Sequence, residues 1–137
     1  MIRAAIMAKL AGSLALQSMV GNRIYAMGAS EQWKPGANGP AVIYTVDEDT
    51  AQCTLDGLDG TTITEISIAG AAVKLGDALG IARVIRLEWV GFQGSAGGVK
   101  FDFVASLGRT VDYFPPEDGS DVGIYYVECS LEIGHSS

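Results

Sequence analysis

Between residues 124 and 134 apolar and polar side chains alternate: Tyr125, Val127, Cys129, Leu131 and Ile133 against Tyr126, Glu128, Ser130 and Glu132. Successive side chains of a strand point to opposite faces, so this pattern buries one row and leaves the other in solvent. A half-buried antiparallel strand is expected here, and the rest of the chain must supply its neighbours and a covering layer.

Val99, Phe101 and Phe103 alternate with Lys100 and Asp102, and Phe114-Pro115-Pro116-Glu117-Asp118-Gly119 has the composition of a tight turn. A strand over 61–69 places Thr62, Thr64, Ile66 and Ile68 on one face. Residues 41–46 are expected as a strand, 50–56 as a second strand or the edge of a hairpin, and Asp56-Gly57-Leu58-Asp59-Gly60 as a turn. Two segments change period. Ile2, Ile6, Leu10 and Leu14 recur every four residues, with Ala5 and Met7 beside them, which predicts a helix over 2–18. Arg3, Lys9, Ser13 and Gln17 fall mostly off that face, and Gly21 and Asn22 stop the helix. A second helix over 70–88 carries a ridge of Ala71, Leu75, Leu79 and Ala82, widened by Ile81 and Ile85. Gly76 and Gly80 weaken it by roughly 1 kcal/mol each relative to Ala, or else admit close packing. Residues 90–98 form a Gly-rich connection. The expected fold is α+β in one domain, 1–137: an antiparallel (mixed) sheet with two helices packed on one face, in the order α-β-β-α-β-β.

The composition, 48% hydrophobic and 18% charged, argues against disorder. A net charge of -7 makes the chain a poor partner for phosphate backbones, so specific nucleic-acid binding is not expected. Cys53 and Cys129 have neither the number nor the spacing of a disulfide framework or a zinc site, and are expected as buried thiols in a reducing compartment. Met1-Ile2-Arg3 opens like a signal peptide, but Lys9, Gly12, Ser13, Gln17 and Ser18 interrupt the apolar run, so neither secretion nor a membrane span is expected.

Little in the chain points to catalysis. His135 is the only histidine and lies near the C-terminus, where mobility is the default expectation. Ser-His-Asp and Cys-His arrangements have no other base to use. Asp47-Glu48-Asp49 lacks the alternating ligands and closing glutamate of a calcium loop and is expected as a solvated acidic turn. Gly94-Ser95-Ala96-Gly97-Gly98 does not join a strand to a helix and lacks a following Gly-Lys-Ser/Thr, so it is expected as a flexible connection and not a phosphate cradle. No enzyme activity, cofactor or metal site is anticipated. The loop over 26–40 combines Gly28, Pro35, Gly36, Gly39 and Pro40 with Glu31, Trp33 and Lys34. Its tryptophan is either a satellite core residue or an interface anchor.

The N-terminal third carries a more specific pattern. A helix ends at Val20-Gly21-Asn22-Arg23-Ile24-Tyr25, a polar loop follows, and Pro40-Ala41-Val42-Ile43-Tyr44 opens a strand. This order resembles the tail-terminator (tail-completion, head-to-tail joining) proteins of long-tailed bacteriophages and gene transfer agents. The likeness extends in element order through Thr54-Leu55-Asp56-Gly57, the strand-to-helix passage 62–88 and the terminal hairpin. Ala71-Ala72-Val73-Lys74-Leu75 departs from it, being more apolar than the longer polar helix usual there. The resemblance implies a virion structural protein, located in the neck region of the tail and assembled in the host cytoplasm. Such proteins form a ring, generally a hexamer, on the head-proximal end of the tail tube. Its partners would be further copies of the chain, the tail-tube protein and the head-closure or connector protein. Genomic DNA would pass through the lumen without sequence-specific binding, and no membrane would be involved. The family offers no catalytic residues to carry over. On this reading Glu31, Trp33 and Lys34 are candidates for a subunit or tail interface. Asp47, Glu48, Asp49, Asp56 and Asp59 are candidates for an acidic ring face or lumen. Two other classes stay open: a different virion component, such as a head-closure or tail-tube protein, and a small ligand-binding or enzymatic α+β domain. Sixfold ring assembly would favour the virion classes, and a large apolar pocket with converging polar groups the last.

Overall fold

A computed structural model describes residues 2–27, 39–47, 53–54, 62–115 and 123–136. The helices are α1 (Ile2–Ala11), α2 (Leu14–Val20) and α3 (Leu75–Trp89). The strands are β1 (Ile24–Ala26), β2 (Ala41–Asp47), β3 (Cys53–Thr54), β4 (Thr62–Ala72), β5 (Gly94–Ala96), β6 (Val99–Phe114) and β7 (Ile124–Ser136). One sheet runs β1-β2-β4-β7-β6-β5, with β3 also paired to β4. The β1–β2 pair is parallel and the others antiparallel, so the sheet is mixed. The fold is α+β, as expected.

All three helices contribute to one core on one face of this sheet. Ile6 and Leu10 of α1, Leu16 and Val20 of α2, and Ile81, Ile85 and Trp89 of α3 meet Val42, Ile68, Val127, Leu131 and Ile133 of the sheet. The alternation in β7 is as the sequence indicates: Val127, Cys129, Leu131 and Ile133 are buried, while Glu128, Ser130 and Glu132 take the other face. On β4, Thr64, Ile66 and Ile68 share the helix-facing row.

The helices depart from expectation. The segment 2–18 is two helices, because Ser13 caps the second: its backbone is extended (φ -80, ψ 114), and its Oγ accepts a hydrogen bond from the Leu16 N–H at 3.2 Å. The break rotates the apolar row. Leu14, expected in the core, is 79% exposed, and Leu16 and Val20 take its place. The second helix starts at Leu75 and not at residue 70, because β4 continues through Ala72. Gly70, Ala71 and Ala72 pair with Val127, Tyr126 and Tyr125 of β7, and Gly70 and Ala71 also with Val42 and Ala41 of β2. Ladders on both sides outweigh the helical propensity of the alanines. The α3 ridge is accordingly Ala78, Ile81, Ala82, Ile85 and Trp89, while Leu75 is largely outside it.

Two close approaches fix the layers. A Cβ at Gly70 would lie 2.7 Å from the Ile81 Cβ and 2.8 Å from the Ala78 carbonyl oxygen, so its absence lets α3 rest directly on β4. The stretch expected as a flexible connection is a hairpin: β5 and β6 join through Gly97 and Gly98, with φ of 56° and 81°. A two-residue turn with both φ positive matches the twist of the strands it joins. A Cβ at Gly97 would lie 2.7 Å from the Ala5 Cα, so α1 packs on the turn itself. Lys9 then reaches over Phe92, its Nζ 3.6 Å from the ring centroid and 5.3 Å from that of Trp89. Burial pushes this ammonium below its ordinary pKa, against the opposing field of Glu88. Among the described residues no helix is long and apolar enough to cross a membrane.

Candidate interaction surface

Glu31, Trp33, Lys34, Glu48, Asp49, Asp56 and Asp59 lie outside the described residues. The backbone of Asp47 closes β2 opposite Glu65, so this acidic position ends a strand, because its ladder with β4 runs one residue beyond the expected stop. His135 is not a loose terminal residue. It sits in β7 between β4 and β6, and its Nε2 is 2.7 Å from the Thr64 Oγ1. Burial pushes the imidazole below its ordinary pKa, with Asp102 opposing the shift. Cys129 is a buried free thiol whose Sγ lies 3.7 Å from the Ala82 carbonyl oxygen, as expected of a structural cysteine. Burial raises its pKa, and the nearby Arg109 and Arg86 pull it back.

The most open part of the described surface is the outer half of β6. Past Phe101, β6 has no strand partner on its outer side among the described residues. There the Val104 carbonyl accepts from the Gly91 N–H at 2.9 Å. Residues 105–114 are exposed on both faces, about 30 Å of strand at roughly 3.3 Å per residue. They pair with β7 as far as Phe114 opposite Ile124, and β7 pairs on its other side with β4, so the β6–β7 ribbon is the outer part of one continuous sheet and β6 is its exposed strand. Leu107, Val111, Tyr113 and Phe114 are about half exposed along it. Tyr113 packs on Tyr125 with centroids 4.7 Å apart, and Phe114 on Tyr126 at 6.0 Å. A long edge strand with apolar side chains is a template for another chain, and folded proteins cover or blunt such edges.

Beside this edge, on the helix side, α3 and the ribbon enclose a groove of about 410 Å³. Leu79, Ala82, Cys129 and Leu131 form its floor, and Arg83, Arg86 and Arg109 its rim. One third of the nine basic residues in an acidic chain converge here. Among the described residues none of the three guanidinium groups is in a salt bridge. The sequence offered one clue to this site: Arg83 and Arg86 are one helical turn apart. It held none for Arg109, which joins them only through the β6–β7 register.

The architecture is thus a mixed sheet covered by helices on one side, with the outer edge of β6 left open among the described residues. This fold matches, over nearly its whole length, a chain in the structure described as "Virion of native gene transfer agent (GTA) particle", with a TM-score of 0.67. The match covers 99% of this chain and 95% of that one at 15% sequence identity, a likeness of fold. No protein-family model matches the chain, and no curated protein matches it in sequence.

Proposed function

We propose that this chain is a structural component of a phage or gene-transfer-agent virion. Within that class we assign it to the head-proximal end of the tail tube. There it forms a homo-oligomeric ring, most simply a hexamer, that ends tube polymerisation and joins the tail to the head connector. The observation that carries the virion reading is the end-to-end fold match to a chain of a gene transfer agent particle. The pattern Val20-Gly21-Asn22-Arg23-Ile24-Tyr25 followed by Pro40-Ala41-Val42-Ile43-Tyr44 supports the narrower assignment, because the tail-terminator family shares that order. In the structure these residues form the α2 stop, β1 and the start of β2. Val42 donates its backbone N–H to the Arg23 carbonyl at 2.9 Å, and the Arg23 Nε donates to the Pro40 carbonyl at 2.7 Å. The open β6 edge supports assembly, since a ring covers it with a neighbour.

The role is mechanical, and no reaction is assigned to it. An overall charge of -7 suits a ring through which a polyanion must slide without sticking. Electron microscopy of particles carrying a labelled chain tests the reading. Label at the head–tail junction, together with overlong, headless tails when the gene is removed, is the expected result. Label along the tube, or tails of normal length joined to heads without the chain, refutes the terminator assignment.

A further inference from the structure

The net charge hides a division between the two faces of the molecule. The helix side of the ribbon carries the groove rimmed by Arg83, Arg86 and Arg109. The opposite side carries carboxylates. Glu65 of β4 stands directly opposite Glu132 of β7, Glu128 lies four residues back along the same row, and Asp112 pairs with Tyr126 from β6. The outward row of β7 contains no basic residue. The Tyr126 phenol reports this environment: burial first, then the charges of Glu128 and Asp112, push its pKa up to about 12.

Each patch is unfavourable alone. Like charges directly opposite one another on adjacent strands destabilise the pair, and Glu65 and Glu132 are such a pair. The three guanidinium groups crowd one groove without an ion-pair partner among the described residues. A second copy relieves both at once. The patches lie on opposite faces, so a contact between them leaves one copy with its acidic face unused and the other with its groove unused. Such a head-to-tail contact propagates and closes when the rotation per step allows. Asp112 stands on the exposed strand β6, and Glu128 lies half-buried beside it on β7, between β6 and β4. The free edge of β6 adjoins the groove and is covered by the same approach.

We propose that the groove rimmed by Arg83, Arg86 and Arg109 seats the acidic sheet face of the next copy, Glu65, Asp112, Glu128 and Glu132, head to tail. This rests on the reading that copies assemble with one another, not on where the assembly sits in a particle. The test uses the full chain in analytical ultracentrifugation at low and high salt, with melting curves as the check on folding. Wild type is expected to associate at low ionic strength and to dissociate as salt screens the charges. The set Arg83→Glu, Arg86→Glu and Arg109→Glu, and the set Glu65→Lys, Glu128→Lys and Glu132→Lys, should each weaken self-association by more than about tenfold. An equimolar mixture of the two sets restores it, since each then offers the other a groove and a face of opposite sign. If the arginine reversals unfold the chain, the set Arg83→Gln, Arg86→Gln and Arg109→Gln serves instead, with the same expected weakening. Wild type that stays monomeric at low salt overturns the proposal. So does either reversed set associating like wild type, or a mixture no better than its components. Label at the head–tail junction alongside any of these would leave the functional reading standing and remove this interface alone.

Discussion

Truncating Leu131 to alanine tests the central packing statement, that β7 is a core strand and not one that orders only on assembly. Leu131 is 1% exposed, pairs with Ile66 on one side and Ser106 on the other, and forms part of the groove floor beneath α3. Leu131→Ala removes three buried carbons, about 2.4 kcal/mol at roughly 0.8 kcal/mol each. Incomplete collapse adds to this, within the 2–5 kcal/mol range of such truncations. The side chain borders an open groove, so the gap deepens that groove and does not seal an empty cavity. The expected loss is therefore about 3 kcal/mol. For a chain of this size that lowers the melting midpoint by about 12 °C, at about 4 °C per kcal/mol. Urea unfolding of the monomer, below any association threshold, should show a lower midpoint with an unchanged slope. Glu132→Ala is the control one residue away. It points to the other face and relieves the repulsion with Glu65, so stability should stay within about 0.5 kcal/mol of wild type or rise slightly. A Leu131→Ala monomer that unfolds at the wild-type midpoint refutes the core assignment and moves the residue to assembly.

Gly70→Ala should cost about 1–3 kcal/mol, because its Cβ meets the Ile81 Cβ and the Ala78 carbonyl oxygen and α3 must lift. Gly76→Ala, on α3 itself, has nothing within 4 Å and should be neutral or stabilising by up to about 1 kcal/mol, so equal melting of the two variants would contradict the close approach. The folded pKa of His135 lies below its unfolded value of 6.5, so the unfolded chain takes the proton first. Its contribution to stability is present above pH 6.5 and lost as pH falls through the lowered folded value; an NMR titration of the imidazole with a midpoint at or above 6.5 would show the reasoning wrong. Trp33→Ala should leave monomer melting unchanged while weakening assembly into tails, and normal tails of correct length from that variant count against a role in the interface.

The strands were more legible than the helices, for a physical reason. Period two survives any neighbour, so the buried rows of β4 and β7 could be named residue by residue. Helical period four cannot show a break confined to one or two residues. Ser13 looked like one more polar residue off the apolar face, yet its side chain caps α2 and turns Leu14 into solvent. Residues 70–72 show the opposite failure. Their composition favours a helix, and only the two ladders that flank β4 decide the matter. Gly97 and Gly98 read only as part of a flexible Gly-rich connection, because their close fit depends on α1 lying against them. The residues expected to carry the interface, Glu31, Trp33 and Lys34, lie outside the described part of the chain. The surface that did emerge draws on α3, β6 and β7, which no local window spans.

The separation of charge between the two faces depends on how β6 accommodates one extra residue. Ser106 pairs with Leu131 and Gly108 with Ser130, so Leu107 is an unpaired insertion, a β-bulge. Continued without the bulge from Ser106, the ladder would set Arg109 opposite Glu128 on the acidic face and Asp112 opposite Tyr125 on the helix side. The bulge instead sets Arg109 opposite Cys129, beside the α3 arginines, and Asp112 opposite Tyr126, beside Glu128. A one-residue slip exchanges the faces of every following side chain, so by absorbing Leu107 the bulge keeps the following charges of β6 on their faces. Removing Leu107 outright should be tolerated. Ser106 and Gly108 would then follow each other in regular register, Arg109 would keep its face, and only a half-exposed leucine would be lost. Inserting a residue after Arg109 should do the reverse. A second bulge would have to form, or Asp112 would move onto the helix side and the acidic face would lose one of its carboxylates. The Leu107 deletion is expected to melt within about 1 kcal/mol of wild type, as surface changes generally do, and to keep its salt-sensitive association. The insertion is expected to associate more weakly at equal stability. A deletion variant that unfolds, or an insertion variant that associates like wild type, would show that the register at Leu107 does not control which charges face which way.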